Sequence, residues 1–358
     1  MKIAMLASGG VDSSVALRLL KEQGHDVTAF YLKIWLEDEL AFLGECPWEE
    51  DLGYVREICA QCDVPLEIIS LQKEYWDRVV QYTIDTVQAG RTPNPDIHCN
   101  DRIKFGAFFD RIDDSFEKVA TGHYAQVEHT PTRSILKMSK DSWKDQTYFL
   151  AHLSQQQLSR ALFPIGGYTK AEVRALAESF DLPNKKRKDS QGICFLGTIK
   201  YSDFIKHHLG EKKGALIELE SGEKKGDHRG FWFYTIGQRQ GLGLSGGPWY
   251  VVKKDPGNNI VYISRNYHAN DKKRDTFYVE DFSWVSGFTF EVGETRHLRV
   301  KVRHGELIYD ALVTFETEDR AKIKLNETDQ GLAPGQFAVF YHNDECLGCA
   351  TISENDPT

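Results

Sequence analysis

Ser8-Gly9-Gly10-Val11-Asp12-Ser13-Ser14 sets two glycines, three serines and a carboxylate between a short apolar run, Ile3 to Leu6, and a stretch whose apolar residues Val11, Val15, Ala16, Leu19 and Leu20 follow helical spacing. Glycines let the backbone turn tightly and approach a ligand, and a helix N-terminus aims unpaired N–H groups and a positive dipole end at whatever lies before it. Such a turn suits pyrophosphate. Ser8 and Ser13 add hydroxyl donors, and Asp12, which alone repels phosphate, reads as a magnesium-organising group. Ordinary helix capping by serine and aspartate is the plainer alternative; the strand before and the helix after favour a ligand. Two lookalikes fail that context. Gly241-Leu-Gly243-Leu-Ser-Gly246 fits G-x-G-x-x-G and Ser245 to Gly247 repeats Ser-Gly-Gly, but Pro248 and a strand follow, with no helix. No G-x-x-x-x-G-K-[ST] is present.

The seven cysteines are odd in number and scattered, which is not a disulfide framework, so each is read as a free thiol in a reducing compartment. Cys99 follows Pro93-Asn94-Pro95-Asp96, where prolines interrupt regular structure, and Cys194 follows the cationic run Lys185 to Lys188. Both read as loop residues. Cations near Cys194 lower a thiol pKa or contact phosphate. Asp96, three residues before Cys99, is the best placed general acid or base for sulfur chemistry. Cys46, Cys59 and Cys62 read as small core residues. Cys346-Leu-Gly-Cys349 is a lone C-x-x-C that cannot by itself complete a tetrahedral zinc site, and it receives no role.

The elements that must position these residues follow from length and patterning. At about 150 residues per domain, 358 residues imply two or three domains with real cores. Short apolar runs alternate with amphipathic segments: strands at Val27 to Leu32, Leu66 to Ile69 and Lys118 to Thr121, helices around Leu52 to Cys62 and from Trp76 to Val87, and a Thr169–Glu172 capping box. That is a parallel sheet with helices on its faces, an α/β domain over residues 1–200. Beyond it come a short helix near Phe204 to Leu209, then β-type runs at Phe231 to Ile236, Trp249 to Val252 and Ile260 to Ile263, with Pro256-Gly257-Asn258-Asn259 as a turn. Residues 201–273 form a small mainly β central domain. Alternation at Leu298 to Val302, Ala311 to Phe315 and Phe337 to Tyr341 makes 274–358 a C-terminal β-barrel or sandwich. No stretch reaches the ~18 apolar residues of a membrane helix, and no leader is read at Met1. The expected location is the cytoplasm.

Ser8 to Ser14 resembles the PP-loop of the ATP pyrophosphatases, which adenylate a carbonyl oxygen. Gly90-Arg-Thr-Pro-Asn-Pro-Asp-Ile-His-Cys-Asn100, Thr121-Gly-His-Tyr-Ala125, Lys144-Asp-Gln-Thr-Tyr-Phe149, Lys188-Asp-Ser-Gln-Gly-Ile-Cys-Phe195 and Thr235-Ile-Gly-Gln-Arg-Gln-Gly-Leu-Gly243 narrow the likeness to the tRNA-specific 2-thiouridylase family, MnmA. The resemblance implies ATP-dependent replacement of the 2-oxygen of a wobble uridine by sulfur. It implies that Cys194 carries a persulfide, that Cys99 attacks it, and that a Cys99–Cys194 disulfide results. Leu6, Ala7, Ser8, Gly9, Gly10, Val11, Asp12 and Ser13 would hold ATP phosphates, Leu32 the adenine or ribose, and Gly122 would let ATP approach. Asn94, Pro95 and Asp96 would surround the target base. His123, Lys144, Asp145 and Gln146, with Arg303, His304 and Gln336 from the C-terminal domain, would contact tRNA. ATP, Mg2+ and persulfide sulfur from a sulfur-relay or cysteine desulfurase protein are the implied cofactors.

A net charge of −9 argues against charge-driven nucleic-acid binding, yet basic groups cluster at Lys272-Lys273-Arg274 and along Arg296, Arg299, Lys301 and Arg303. The last three alternate on a strand and share a face suited to a phosphate backbone. Anticodon recognition rests on splayed bases and pockets more than on net charge. The segment from Trp35 to Asp51 departs from the family form, beside the expected nucleotide. Two readings compete: an ATP pyrophosphatase acting on a small-molecule carbonyl, which needs no cysteine, and a non-catalytic RNA binder, which would have lost its phosphate loop or cysteines.

Overall fold

The computed structural model describes residues 1–34, 48–189, 199–266, 274–329 and 331–353. The N-terminal runs form β1 (Lys2–Leu6), β2 (Asp26–Lys33), β3 (Leu66–Ser70) and β4 (Lys118–Ala120), then a hairpin of β5 (Gln126–His129) and β6 (Ser134–Lys137), then β7 (Ala161–Leu162). Five of these make one parallel sheet in the order β3-β2-β1-β4-β7. From Ile3 to Leu6, β1 is apolar because both its faces are covered. Ile3 and Met5 enter a core with the Val11–Glu22 and Trp48–Cys62 helices, while Ala4 and Leu6 enter another with helical residues 72–107. Each fully buried aliphatic of this kind stabilises the sheet by ~1.5–3 kcal/mol, which fixes β1 as the central rail. The expected helix stop is formed at Gly24, φ +78°, and the Thr169–Glu172 capping box closes reciprocally.

One local expectation is overturned. Cys99 is not in a loop: Pro95–Cys99 is an α-helix that continues as a π-helix over Asn100–Ala107, and Cys99 is buried within it. Proline is unfavourable inside a helix but suits its first turn, where its missing N–H has no partner to lose, and Asn94 caps that turn by accepting from Ile97 N. Cys194, with residues 190–198, lies outside the described residues, as do Cys46, the departing segment over 35–47, and Lys272 and Lys273.

The central unit holds β8 (Gly214–Glu218), β9 (Lys224–His228), β10 (Tyr250–Asp255) and β11 (Ile260–Ser264) in the order β10-β11-β8-β9. β10 and β11 pair as the antiparallel hairpin that the Pro256 to Asn259 turn signals. Phe231 to Ile236, expected as strand, instead opens with a 3-10 turn over Phe231–Phe233. Phe231 and Tyr234 are buried there as core for the small sheet, so an aromatic run without two-residue alternation served packing and not pairing.

The last unit comprises β12 (Thr276–Ser283), β13 (Thr295–Lys301), β14 (Tyr309–Thr317), β15 (Arg320–Leu325), β16 (Phe337–His342) and β17 (Glu345–Ile352). They run β12-β15-β14-β13-β16-β17, and β12 also pairs with β17, closing a six-stranded antiparallel barrel. The β5–β6 hairpin, early in the chain, joins this sheet outside β17 through Lys137 and Glu345. Arg133 secures it by donating to the Glu345 carboxylate and to Ser286 O, 3.0 Å. No helix among the described residues is long and apolar enough to cross a membrane.

Candidate functional site

In the order β3-β2-β1-β4-β7, the chain goes to opposite sides of β1 when it makes β2 and β4. The crevice beyond the carboxyl ends of β1 and β4 is therefore the switch point at which open α/β sheets bind ligands. The turn over Ser8 to Gly10 leaves β1 there, and Gly122 and His123 leave β4 opposite it. Gly9 has φ +75°, and a Cβ on it would stand 2.6 Å from Asp51 O. A Cβ on Gly122 would lie 2.7 Å from Ser13 N, so only glycine lets β4 come this close to the helix start. Ser8 and Ser13 face each other, Oγ to Oγ 3.2 Å. The glycine-serine turn runs from a strand into a helix N-terminus, the local context expected from the sequence.

What holds the cradle comes from far along the chain. Asn184 Nδ2 donates to Gly9 O at 2.8 Å and to Ser14 Oγ at 2.9 Å. Arg187 Nη1 donates to the same Gly9 O at 3.1 Å, and its other branch pairs with Asp51. The cationic run read as a thiol or phosphate contact thus spends Arg187 on the back of the loop, and Lys185 on Asp181 at 2.5 Å. Neither Asn184 nor Arg187 was legible as a loop anchor; their only signal is the Asn-Lys-Lys-Arg stretch itself.

Asp12, read as a magnesium-organising group, has partners from two distant segments. Lys170 Nζ stands 2.8 and 2.9 Å from its two oxygens, and Tyr124 donates to Oδ1 at 2.9 Å. Burial, and then the charge of Asp12, push the Tyr124 phenol pKa up, so it keeps the proton it donates. Both Asp12 oxygens are thus engaged by partners of this chain, and the cation they meet is Lys170. Lys170 opens the Lys170–Ser179 helix and also meets Asp189 at 2.8 Å, which Arg174 (2.5 Å) and Lys144 (3.2 Å) share.

Cys99 belongs to the core on the other face of β1, with Ala4 and Leu6. Burial pushes its thiol pKa above the ordinary value, with Lys104 opposing and Asp96 adding to the rise. Lys104 also acts on His123, whose pKa falls well below 6.5 mainly through burial, so the loop after β4 and the Cys99 helix share one electrostatic environment. His123 is neutral and its Nδ1 lies 2.7 Å from Thr121 Oγ1. Asp96 is half-buried on the first turn of the Cys99 helix. A thiol of this kind is protonated at pH 7. We expect iodoacetamide to label Cys99 at least ~10-fold more slowly than the same thiol in denaturant, since reactivity follows the thiolate fraction; equal rates by peptide mass spectrometry would refute the buried, protonated thiol.

The barrel contributes directly. Gln336 Nε2 donates to Pro93 O at 2.8 Å and to Thr92 O at 3.2 Å, and Asn94 Nδ2 donates to Gln336 Oε1 at 3.4 Å. Gly335, φ +89°, would place a Cβ 2.9 Å from Thr92 O. The Pro334-Gly335-Gln336 turn is therefore seated on the Gly90 to Asn100 motif. His304 packs its ring 4.5 Å from Phe149. Leu6, Ala7 and Val11 are buried behind the loop, and Leu32 is half-buried near the end of β2.

The basic face expected along Arg299, Lys301 and Arg303 is only partly open. Lys301 is 1% exposed and its Nζ lies 3.1 Å from Asp145 Oδ2, Arg303 donates to both oxygens of Asp329 at 2.8 and 2.7 Å, and Arg299 donates to Asn343 O. Of these only Lys301 is taken out of water, where a cation must be paired, and it is; Arg303 keeps about half of its side chain exposed. Asp145, read as an RNA contact, is wholly buried; it also accepts from Thr147 Oγ1 at 2.7 Å and from Ser139 N at 3.0 Å. Its neighbours differ: Gln146 Oε1 accepts from Tyr124 N at 2.9 Å, and Lys144 is half-exposed. Cys346 and Cys349 are buried on β17 with thiol pKa values pushed well up by burial, as core residues are.

A glycine-serine turn at the switch point of a parallel sheet, a buried cysteine helix on the other face of β1 and a β-barrel turn seated on the loop before that helix define an α/β enzyme extended by two β units. The family models agree in order and extent: tRNA methyl transferase HUP domain over residues 1–198, tRNA methyl transferase PRC-barrel domain over 202–265, and Aminomethyltransferase beta-barrel domain over 274–352. The chain is 45% identical to the tRNA-specific 2-thiouridylase MnmA of Porphyromonas gingivalis over 361 residues, covering 99% of each. It is 46% identical to MnmA 2 of Bacteroides fragilis over 362 residues, covering 98% of this chain and 100% of that one. The chain belongs to the MnmA family of tRNA-specific 2-thiouridylases.

Proposed function

We propose that the protein performs ATP-dependent 2-thiolation of the wobble uridine of tRNA in the cytoplasm. The single observation that carries this reading is the 45% identity, across 99% of the chain, to a curated 2-thiouridylase. A uracil 2-carbonyl has a poor leaving group. Its oxygen must first attack the α-phosphate of ATP, releasing pyrophosphate and leaving an adenylate. Leu6 to Ser13 hold the phosphates, Gly122 admits them against the β4 end, and Leu32 borders the nucleoside. Lys170 offsets the Asp12 carboxylate so that the cradle does not repel its anion. Magnesium arrives on the nucleotide, and no step is assigned to it.

Asn94, Pro95 and Asp96 surround the uracil at the head of the Cys99 helix, with Asp96 handling the proton. The terminal sulfur of a Cys194 persulfide attacks C2 and displaces AMP, leaving a C2–S–S–Cys194 link. The Cys99 thiolate then attacks the Cys194 sulfur, the thiouridine sulfur departs, and a Cys99–Cys194 disulfide remains for an external thiol to reduce. The persulfide sulfur comes from a sulfur-relay or cysteine desulfurase protein. His123, Lys144, Gln146, Arg303 and His304 contact the tRNA; Gln336 orients the base loop, and Asp145 acts through position alone. A small-molecule carbonyl substrate is disfavoured, because it leaves Cys99 and the barrel turn on its helix without a task.

The test is nucleoside mass spectrometry on unmodified glutamate or lysine tRNA after incubation with the protein, ATP, magnesium and a sulfide donor. A 2-thiouridine peak is expected that needs ATP and disappears with Cys194→Ser, while ATP binding persists. Product from Cys194→Ser would overturn the sulfur assignment; no pyrophosphate with tRNA present would overturn adenylation.

A further inference from the structure

We propose that His98, Asp101 and His152 form a binding site for one divalent transition-metal ion, zinc by preference, in the seam between the Cys99 helix and the C-terminal barrel. His98 and Asp101 are one turn apart in the helical run over 95–107, and His152 follows the 3-10 turn Thr147–Leu150. Nδ1 of His98 lies 3.4 Å from each Asp101 oxygen, Nδ1 of His152 lies 2.8 Å from Oδ2, and one ligand atom from each residue falls within 4.8 Å of the others. Bonds of about 2.0–2.1 Å to a tetrahedral zinc ion put ligand atoms roughly 3.3 Å apart; the 3.4 and 2.8 Å nitrogen–oxygen spans lie near that value, and the trio stays within 4.8 Å. Two neutral imidazoles and a carboxylate are a borderline donor set that suits zinc and its neighbours better than calcium or magnesium.

The position is built and not incidental. The His98 and Asp101 side chains are 4% and 10% exposed, so a carboxylate is held out of water between two rings. Gln157 donates at 2.7 Å to Asp101 O, fixing the backbone, and Tyr82 packs edge-on to His98 with ring centres 4.3 Å apart. Beside the trio opens a cavity of about 220 Å³ that His98, His152, Tyr82 and Phe337 help to line, room for water to complete a coordination shell. One group opposes the ion. Arg102 Nη2 lies 3.4 Å from His98 Nε2 and Nε lies 3.9 Å from Asp101 Oδ2. When Nδ1 takes a metal, the ring proton moves to Nε2 and faces that guanidinium. Arg102 is about one third exposed and can swing outward. The ion would staple the helix carrying Cys99 to the chain at His152, without entering the sulfur chemistry.

The full chain carrying Cys99→Ser and Cys194→Ser, stripped with a chelator, should bind one equivalent of zinc by elemental analysis. With cobalt(II) as probe, its visible spectrum should lack a thiolate charge-transfer band, because the ligands are nitrogen and oxygen. His152→Ala should weaken binding by more than ~100-fold, above what loss of a second-shell partner costs. Arg102→Ala should tighten it, a result that a metal-free hydrogen-bond cluster does not produce and that survives if His152→Ala fails to fold. Failure of the stripped protein to take up metal, a thiolate band in that background, or affinity indifferent to both substitutions would overturn the site.

Discussion

Lys170→Met is expected to slow tRNA-dependent pyrophosphate release from ATP by ~10²–10³-fold, the usual cost of removing one preorganised charge from a site where charge develops. The substitution keeps the side chain's length but leaves the Asp12 carboxylate facing a polyphosphate with, among the described residues, the Tyr124 hydroxyl as its side-chain partner. Lys170→Arg should recover much of the rate. A defect that appears equally in ATP binding and in thermal stability, with no arginine rescue, would mean that the lysine is only a strut between Asp12 and Asp189. pH separates these cases further. Burial raises the Asp189 carboxyl, but Lys170 and Lys144 outweigh it and hold its pKa down to about 2. Its folded value lies below the unfolded one, so its share of stability is present above about pH 4 and is lost as pH falls toward 2. Asp189 therefore stays ionised at neutral pH, and a neutral-pH loss of rate in Lys170→Met cannot arise from its titration.

Lys301→Ala should destabilise the fold by ~3–5 kcal/mol, the cost of leaving a buried charge without its partner. Lys301 and Asp145 are 1% and 0% exposed, and they join the barrel to the Lys144 to Phe149 motif. Urea unfolding followed by fluorescence measures the loss. The double variant Lys301→Met with Asp145→Asn should regain a substantial part of it, because both charges then leave together. A loss under ~1 kcal/mol, as for exposed pairs, would show that water reaches the pair. Since Gln146 of the same motif accepts from Tyr124 N, and Tyr124 donates to Asp12, a loosened motif should also raise the KM for tRNA.

Local chemistry was readable in the linear chain. Glycines at 9 and 24, the apolar spacing from Val11 to Leu20, the Thr169–Glu172 box and the turn at Pro256 to Asn259 act within a few residues, so composition and period suffice to place them. The three-part order of α/β, central β and barrel units follows from the same periods. Where a local rule was applied too narrowly, it failed: two prolines near Cys99 suggested a loop, but one of them begins a helix.

The amino-acid sequence by itself determined the glycine-serine turn ahead of the first helix and the succession of folded units, since each rests on residues close together in the chain. Only the tertiary structure decided which charge meets which. Lys170 reaches Asp12 across 158 positions, Lys301 reaches Asp145 across 156, and Asn184 reaches Gly9 across 175. A cation in a sequence looks the same whether it will face water, RNA or a buried carboxylate. Desolvation on folding makes the choice, because a charge taken out of water must find its opposite. That is why a strand expected to offer RNA a row of cations buries one of them, and why the β5–β6 hairpin, made from the first half of the chain, ends as an outer pair of strands on the last domain's sheet.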